Sequence, residues 1–179
     1  SNNERQTHSH AAETWKATLV NTGIETMTGG RVKRIQKYLD NDTFMLTYGD
    51  GVADINIREL VNYHQSNKKI ATITSVQPAG RFGAMNIDEK NLVRSFQEKP
   101  KGDGSWVNAG FFVMESSMLD YLHDDTTVLE REPLEAVANQ GQLVTYKHRG
   151  FWQPMDTLRD RNLLEELWRR DNAPWKVWS

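Results

Sequence analysis

The 179 residues contain no cysteine. That excludes disulfide staples, thiolate metal ligands and a cysteine nucleophile, so any chemistry must rest on oxygen and nitrogen groups. No apolar run approaches the ~20 residues needed to span a bilayer. The polar start Ser1-Asn2-Asn3-Glu4-Arg5 also lacks the charged and apolar regions of a signal peptide. These absences point to a cytoplasmic protein with no membrane partner. Charge of one sign is missing too. The 22 Lys and Arg nearly balance the 24 Asp and Glu, leaving a net charge of -2, which argues against a nucleic-acid partner while allowing a local basic patch to hold a phosphate.

What is present is ordinary for a globular chain: 37% hydrophobic and 26% charged residues exclude disorder and fibrous classes. The length suits one domain over 1–179, with 171–179, which carries Pro174, Trp175 and Trp178, reading as a docking tail. Helical periodicity alternates with β-rich runs, the pattern of an α/β layer fold. A strand is expected over 17–21. A helix follows over 28–39, with Val32, Ile35 and Leu39 on one face. Residues 43–48 form a buried-strand candidate that ends at Gly49-Asp50-Gly51. The next helix, through Ile57, Leu60, Val61 and His64, is capped by Asn56 or Asp54. Residues 70–76 read as a strand pairing in parallel with 43–48 through a right-handed crossover. Beyond Pro78 the spacing predicts a hairpin over 84–87 and 91–97, a long strand over 107–114, helices over 116–122 and 129–139 and a strand over 143–147. A last helix carries Leu163, Leu164, Leu167 and Trp168 on its apolar face. Together these make a mixed sheet flanked by helices.

Open α/β sheets bind ligands at the carboxyl ends of their strands, where Asp50 falls, between glycines that let a phosphate approach the backbone. An Asp-Gly turn reads equally well. Thr28-Gly29-Gly30-Arg31 opens a helix whose free N–H groups and arginine favour an anion, or it is an ordinary N-cap with a flexible lead-in. Glu98-Lys99 places an acceptor for hydroxyls beside a cation for phosphate, or a pair of solvated charges. Asp156 precedes a helix, where it or Thr157 could be the cap with Asp160 completing a capping box. His64 lies on an apolar face and reads as a core residue, and no histidine is given a catalytic role.

Taken in order, six segments carry a stronger signal than any one alone. They are Thr28-Gly29-Gly30-Arg31, Tyr48-Gly49-Asp50-Gly51-Val52-Ala53-Asp54, Gly80-Arg81-Phe82-Gly83-Ala84, Ser95-Phe96-Gln97-Glu98-Lys99-Pro100-Lys101-Gly102-Asp103-Gly104, Asn108-Ala109-Gly110-Phe111-Phe112, and Gly150-Phe151-Trp152-Gln153-Pro154-Met155-Asp156-Thr157-Leu158-Arg159-Asp160. In this arrangement the chain resembles the sugar-1-phosphate nucleotidyltransferases, and within them the branch that acts on CTP and glucose 1-phosphate. The resemblance implies a Rossmann-like, nucleotide-diphospho-sugar transferase fold and a reaction joining a nucleoside triphosphate to a sugar 1-phosphate with release of pyrophosphate. It assigns Asp50 and Asp156 to a Mg²⁺ site, a metal that takes one or two carboxylates and completes its octahedron with water and phosphate oxygens. Lys99 joins them as a catalytic residue, holding the sugar phosphate. Glu98 would hold sugar hydroxyls, while Asn108 and the backbones of Gly83 and Gly110 shape the sugar pocket. Thr28, Gly30 and Arg31 would face the nucleotide, and assembly into a homo-oligomer is implied. The family's Gly-Gly-x-Gly-Thr-Arg loop and Pro-Lys-Pro element do not occur in the sequence. The chain is therefore expected to be N-terminally truncated with little transferase activity, the alternative being a non-catalytic sugar-phosphate-binding or oligomerisation module. A metal-dependent glycosyltransferase is disfavoured, because Asp50 and Asp54 are separated by three residues rather than one.

Overall fold

The computed structural model describes residues 16–78, 84–97 and 105–178. Among them the strands, in chain order, are β1 (Phe44–Thr47), β2 (Gly51–Ala53), β3 (Ala71–Val76), β4 (Ala84–Ile87), β5 (Val93–Gln97), β6 (Val107–Met114), β7 (Leu143–Lys147) and β8 (Trp152–Pro154). The α-helices are α1 (Thr28–Ile35), α2 (Ile57–Asn67), α3 (Glu132–Asn139) and α4 (Leu158–Arg169). No helix among the described residues is long and apolar enough to cross a membrane.

The main sheet runs β1-β6-β3-β7. It is mixed as expected: β6 is antiparallel to both β1 and β3, and β3 is parallel to β7. The direct parallel pairing expected between 43–48 and 70–76 does not form, because β6 lies between them, Met114 facing Phe44 on one side and Ala71 on the other. The reason is burial. Along β6, Phe112 and Met114 point to one face and Val113 to the other, all at 1% exposure or less. A strand apolar on both faces belongs in the sheet interior, where both of its edges also find backbone partners.

Each face carries its own core. Phe112 and Met114 pack with Val32 of α1, Leu134 and Val137 of α3, and Met118, Leu119 and Leu122. Val113 packs on the opposite face with Ile55 and Leu60 beside α2. Each such side chain contributes about 1.5–3 kcal/mol when fully buried, so the two layers hold β6 rigidly. His64 belongs to this interior, at 1% exposure, with Nδ1 2.8 Å from Thr72 Oγ1 and Nε2 2.9 Å from Glu115 Oε1.

Local signals explain most element ends. Asn56, rather than Asp54, caps α2 by accepting from the Glu59 N–H, and Lys68 closes the helix in the left-handed region at φ 52°. The expected 28–39 helix ends at Ile35 and tightens into a 3₁₀ turn over Gln36–Tyr38. The expected 116–122 helix is a 3₁₀ segment, Ser116–Tyr121, whose i, i+3 spacing lays Met118 and Leu119 into the core. Pro133 sets the first turn of α3, so that helix starts at Glu132 rather than at 129. Residues 17–21 form no strand: Leu19 is 88% exposed and no ladder reaches this run among the described residues. The 84–97 hairpin is present, with Ala84 opposite Gln97 and Asn91 at φ 62° in its turn. On α4 only Leu164 is buried, and Leu163 and Trp168 of the expected apolar face stay exposed. Near the C-terminal end, the Trp175 ring stacks on Phe151 with centroids 5.5 Å apart.

Candidate active site

A two-stranded ladder outside the main sheet builds the site. β2 and β8 pair antiparallel, Gly51 facing Pro154, and the ladder continues one step further as the Met155 N–H donates to the Asp50 carbonyl at 2.7 Å. Asp50 and Asp156, more than 100 residues apart in sequence, thus emerge at the same end of one ladder. Both are exposed, and among the described residues neither carboxylate has a hydrogen-bond or ion-pair partner. Asp54 leaves the other end, where His148 Nε2 lies 2.8 Å from its Oδ1.

Asp156 is not spent on the helix behind it. Thr157 is the N-cap of α4, its hydroxyl accepting from the Asp160 N–H, and Asp160 returns the bond to the Thr157 N–H, so the box expected from sequence is complete without Asp156. Asp160 also accepts from Gln153 Nε2 at 3.0 Å, which ties α4 back onto β8. With the cap filled next door, the Asp156 carboxylate is left to face solvent.

The ladder is clamped to the sheet beside the expected sugar residues. Trp152 Nε1 donates to the Ala109 carbonyl at 2.9 Å, between Asn108 and Gly110. Asn108 Oδ1 accepts from the Gly110 N–H at 2.8 Å, and its Nδ2 donates to the Tyr48 hydroxyl at 3.3 Å. Tyr48 in turn donates to Glu130 Oε1, and Thr28 donates to Glu130 Oε2 at 2.7 Å. Burial, reinforced by the Glu130 carboxylate, pushes the Tyr48 phenol far above its ordinary value, so it stays protonated. Gly110 sits at φ 80°, and a Cβ there would meet the Tyr48 ring at 2.6 Å. This residue has to be glycine for Tyr48 to lie where it does.

The start of α1 is held differently from the open anion cradle of the sequence reading. The Gly29 and Gly30 N–H groups both donate to the Thr127 carbonyl, at 2.9 and 3.2 Å. Thr28 accepts from the Leu129 N–H, and Arg31 reaches Thr22 and the Ile24 carbonyl. The two glycines let the 124–127 loop approach: a Cβ on Gly30 would lie 2.7 Å from Asp125 Cα. Glu98, Lys99 and Gly83 lie outside the described residues. Beside the ladder, Trp106, His148, Arg149, Phe151 and Trp152 line a cavity of about 240 Å³. Sequence reasoning missed Glu130 and the hydroxyl of Tyr48 as parts of the site. Glu130 joins Thr28 across 102 positions, and no local pattern announces such a contact.

A family model described as "Nucleotidyl transferase" matches residues 5–157. A glucose-1-phosphate cytidylyltransferase from Salmonella typhi is 51% identical over 178 residues, covering 99% of this chain and 69% of the relative. A Bacillus subtilis (strain 168) protein described as a probable glucose-1-phosphate cytidylyltransferase is 40% identical over 167 residues, covering 93% of this chain and 65% of its own length. The crystal structure of HddC from Yersinia pseudotuberculosis superposes with a TM-score of 0.60 at 21% identity, covering 80% of this chain and 63% of that one. That last likeness shows the fold.

Proposed function

The chain belongs to the nucleotidyl transferase family, and on that premise we propose that it carries the metal and sugar-phosphate half of a site that transfers a cytidylyl group from CTP to glucose 1-phosphate. The products are CDP-glucose and pyrophosphate. One observation carries this reading: the β2/β8 ladder presents Asp50 and Asp156 together, exposed and unpaired, beside Asn108 and Gly110.

The donor set fits Mg²⁺, which takes one or two carboxylates and fills its remaining positions with water and phosphate oxygens. Asp50 and Asp156 would hold it, and when bound it supplies orientation and charge neutralisation at the α-phosphate of the nucleotide. A sugar phosphate with a second pKa near ~6 is largely dianionic at neutral pH, so its oxygen attacks the α-phosphorus without a general base. The new P–O bond forms as the bond to pyrophosphate breaks, in line. Positioning is then the main demand on the protein. Lys99 and Glu98 are proposed to hold the sugar phosphate and the sugar hydroxyls. The Asn108 amide, fixed at one end by the Gly110 N–H, keeps an N–H for a sugar oxygen. Thr28, Gly30 and Arg31 are proposed to face the nucleotide: Thr28 and Gly30 fix the start of α1 against the 124–130 loop, and Arg31 ties it to Thr22 and Ile24.

Manganese, which has an electron-spin signal, tests the metal site directly. Titrated with Mn²⁺, the wild-type chain should bind one ion, and Asp50→Asn or Asp156→Asn should weaken that binding at least about tenfold, as expected for loss of a charged ligand. Pyrophosphate release from CTP and glucose 1-phosphate, followed in parallel, should fall in both variants wherever the wild type shows it. Wild-type Mn²⁺ affinity in both variants would sink the assignment.

A further inference from the structure

We infer that Glu130 is a positioning residue for the sugar pocket: by accepting the hydrogen bond of the Tyr48 hydroxyl, it leaves the phenol oxygen to face Asn108 as an acceptor and so fixes how that amide faces a ligand. The inference rests on the sugar-phosphate reading of Asn108 given above. Glu130 lies outside the six ordered sequence segments and reaches Asn108 only through Tyr48.

The donors and acceptors around Tyr48 admit one arrangement. A phenol has one proton and can accept through its oxygen. Its proton goes to Glu130 Oε1, a charge-assisted bond that outcompetes a neutral acceptor. Toward Asn108 the oxygen can then only accept, so the Nδ2 side of the amide must face Tyr48. The opposite end of the amide agrees independently, since the Gly110 N–H is a donor and requires Oδ1. With both ends specified, one Asn108 N–H remains for an acceptor such as a sugar hydroxyl. Without the carboxylate, the phenol proton could rotate toward Asn108, and one of the two constraints on the amide would be lost.

Glu130 is itself anchored from a second side. Thr28 donates to Oε2 at 2.7 Å while accepting from the Leu129 N–H at 2.9 Å, so the start of α1 locks the segment that carries the carboxylate. The Tyr48 ring cannot easily move away either, packed against Phe112 with centroids 5.7 Å apart and against the bare backbone of Gly110. The path therefore runs from α1 through Glu130 and Tyr48 to Asn108. Every link is a hydrogen bond between partly buried or anchored groups.

The test uses the chain labelled with ¹⁵N, reading the Asn108 side-chain amide pair, assigned by its loss in Asn108→Ala. In Tyr48→Phe and in Glu130→Gln that pair should shift, while the Asn56 amide, which caps α2, should stay in place. Calorimetric titration with glucose 1-phosphate should show about three- to tenfold weaker binding in each variant, the span of one net hydrogen bond. Adding Tyr48→Phe to Asn108→Ala should cost nothing further, because Tyr48 acts only through Asn108. Tyr48→Phe keeps the ring packing, so it decides the matter even where Glu130→Gln is poorly folded. An unmoved Asn108 signal, or losses that multiply in the double variant, would overturn the inference. If Asn108→Ala itself leaves glucose 1-phosphate binding intact while the amide pair still shifts in Tyr48→Phe, the sugar-phosphate reading fails and the orientation of Asn108 stands.

Discussion

Replacing Gly110 by alanine probes the joint between the sheet and the site. The residue is buried in β6 at φ 80°, and its added Cβ would lie 2.6 Å from Tyr48 Cδ2 and 3.0 Å from Cγ. Two costs follow. Holding an L-residue in the left-handed region costs about 1–2 kcal/mol, and forcing a methyl group against a ring that cannot retreat costs about 1–3 kcal/mol. Their sum is about 2–5 kcal/mol, a large part of the 5–15 kcal/mol typical of a domain. At about 2–4 °C per kcal/mol for a chain of this size, the unfolding midpoint should drop by about 4–20 °C. Gly141→Ala separates the two costs. Gly141 has φ 64° with nothing within 4 Å of the added Cβ, so only the backbone cost applies and the midpoint should fall by about 2–8 °C. Thermal unfolding followed by circular dichroism, with urea titration at fixed temperature, measures both variants. Equal losses at the two positions would refute the claim that Tyr48 is held hard against Gly110, and with it the rigidity of the Tyr48 contacts to Asn108.

Tyr48 also sets an alkaline limit. Its phenol is raised above the 10.0 of an unfolded tyrosine, so its contribution is complete below pH ~10 and is lost as pH rises toward the folded value, by at most about 1.4 kcal/mol per pH unit. Tyr48→Phe should flatten the stability profile measured by urea unfolding between pH 9 and 11 (~, the range spanning the tyrosine value), leaving the smaller, same-signed contribution of Tyr146, which burial and Glu59 also raise. A profile as steep as that of the wild type would contradict the assignment. Asp160→Ala removes the capping box and the bond to Gln153 together, which should cost about 0.5–2 kcal/mol. Amide hydrogen exchange should then speed up in the first turn of α4, and unchanged exchange there would show that the box does not hold the turn after Asp156.

Much of this molecule was legible in the order of its residues. The strand over 43–48, the Asn56 cap, the 84–97 hairpin and the Thr157–Asp160 box each depend on neighbours a few positions apart, so side-chain periodicity and turn chemistry specify them locally. The same ordering tied Asp50, Asn108 and Asp156 to one family, because short motifs retain their residue types even when their meeting point is not visible. Only the folded chain decided that β6 separates β1 from β3, since that choice follows from burying Phe112 and Val113 on opposite faces at once. The folded chain also decided that Asp156 is released from capping and drawn to Asp50 by one backbone bond, and that Glu130 reaches Thr28 and Tyr48. Such contacts join residues 82 and 102 positions apart. They are selected by the packing of whole layers, a cooperative quantity that no short stretch of sequence contains.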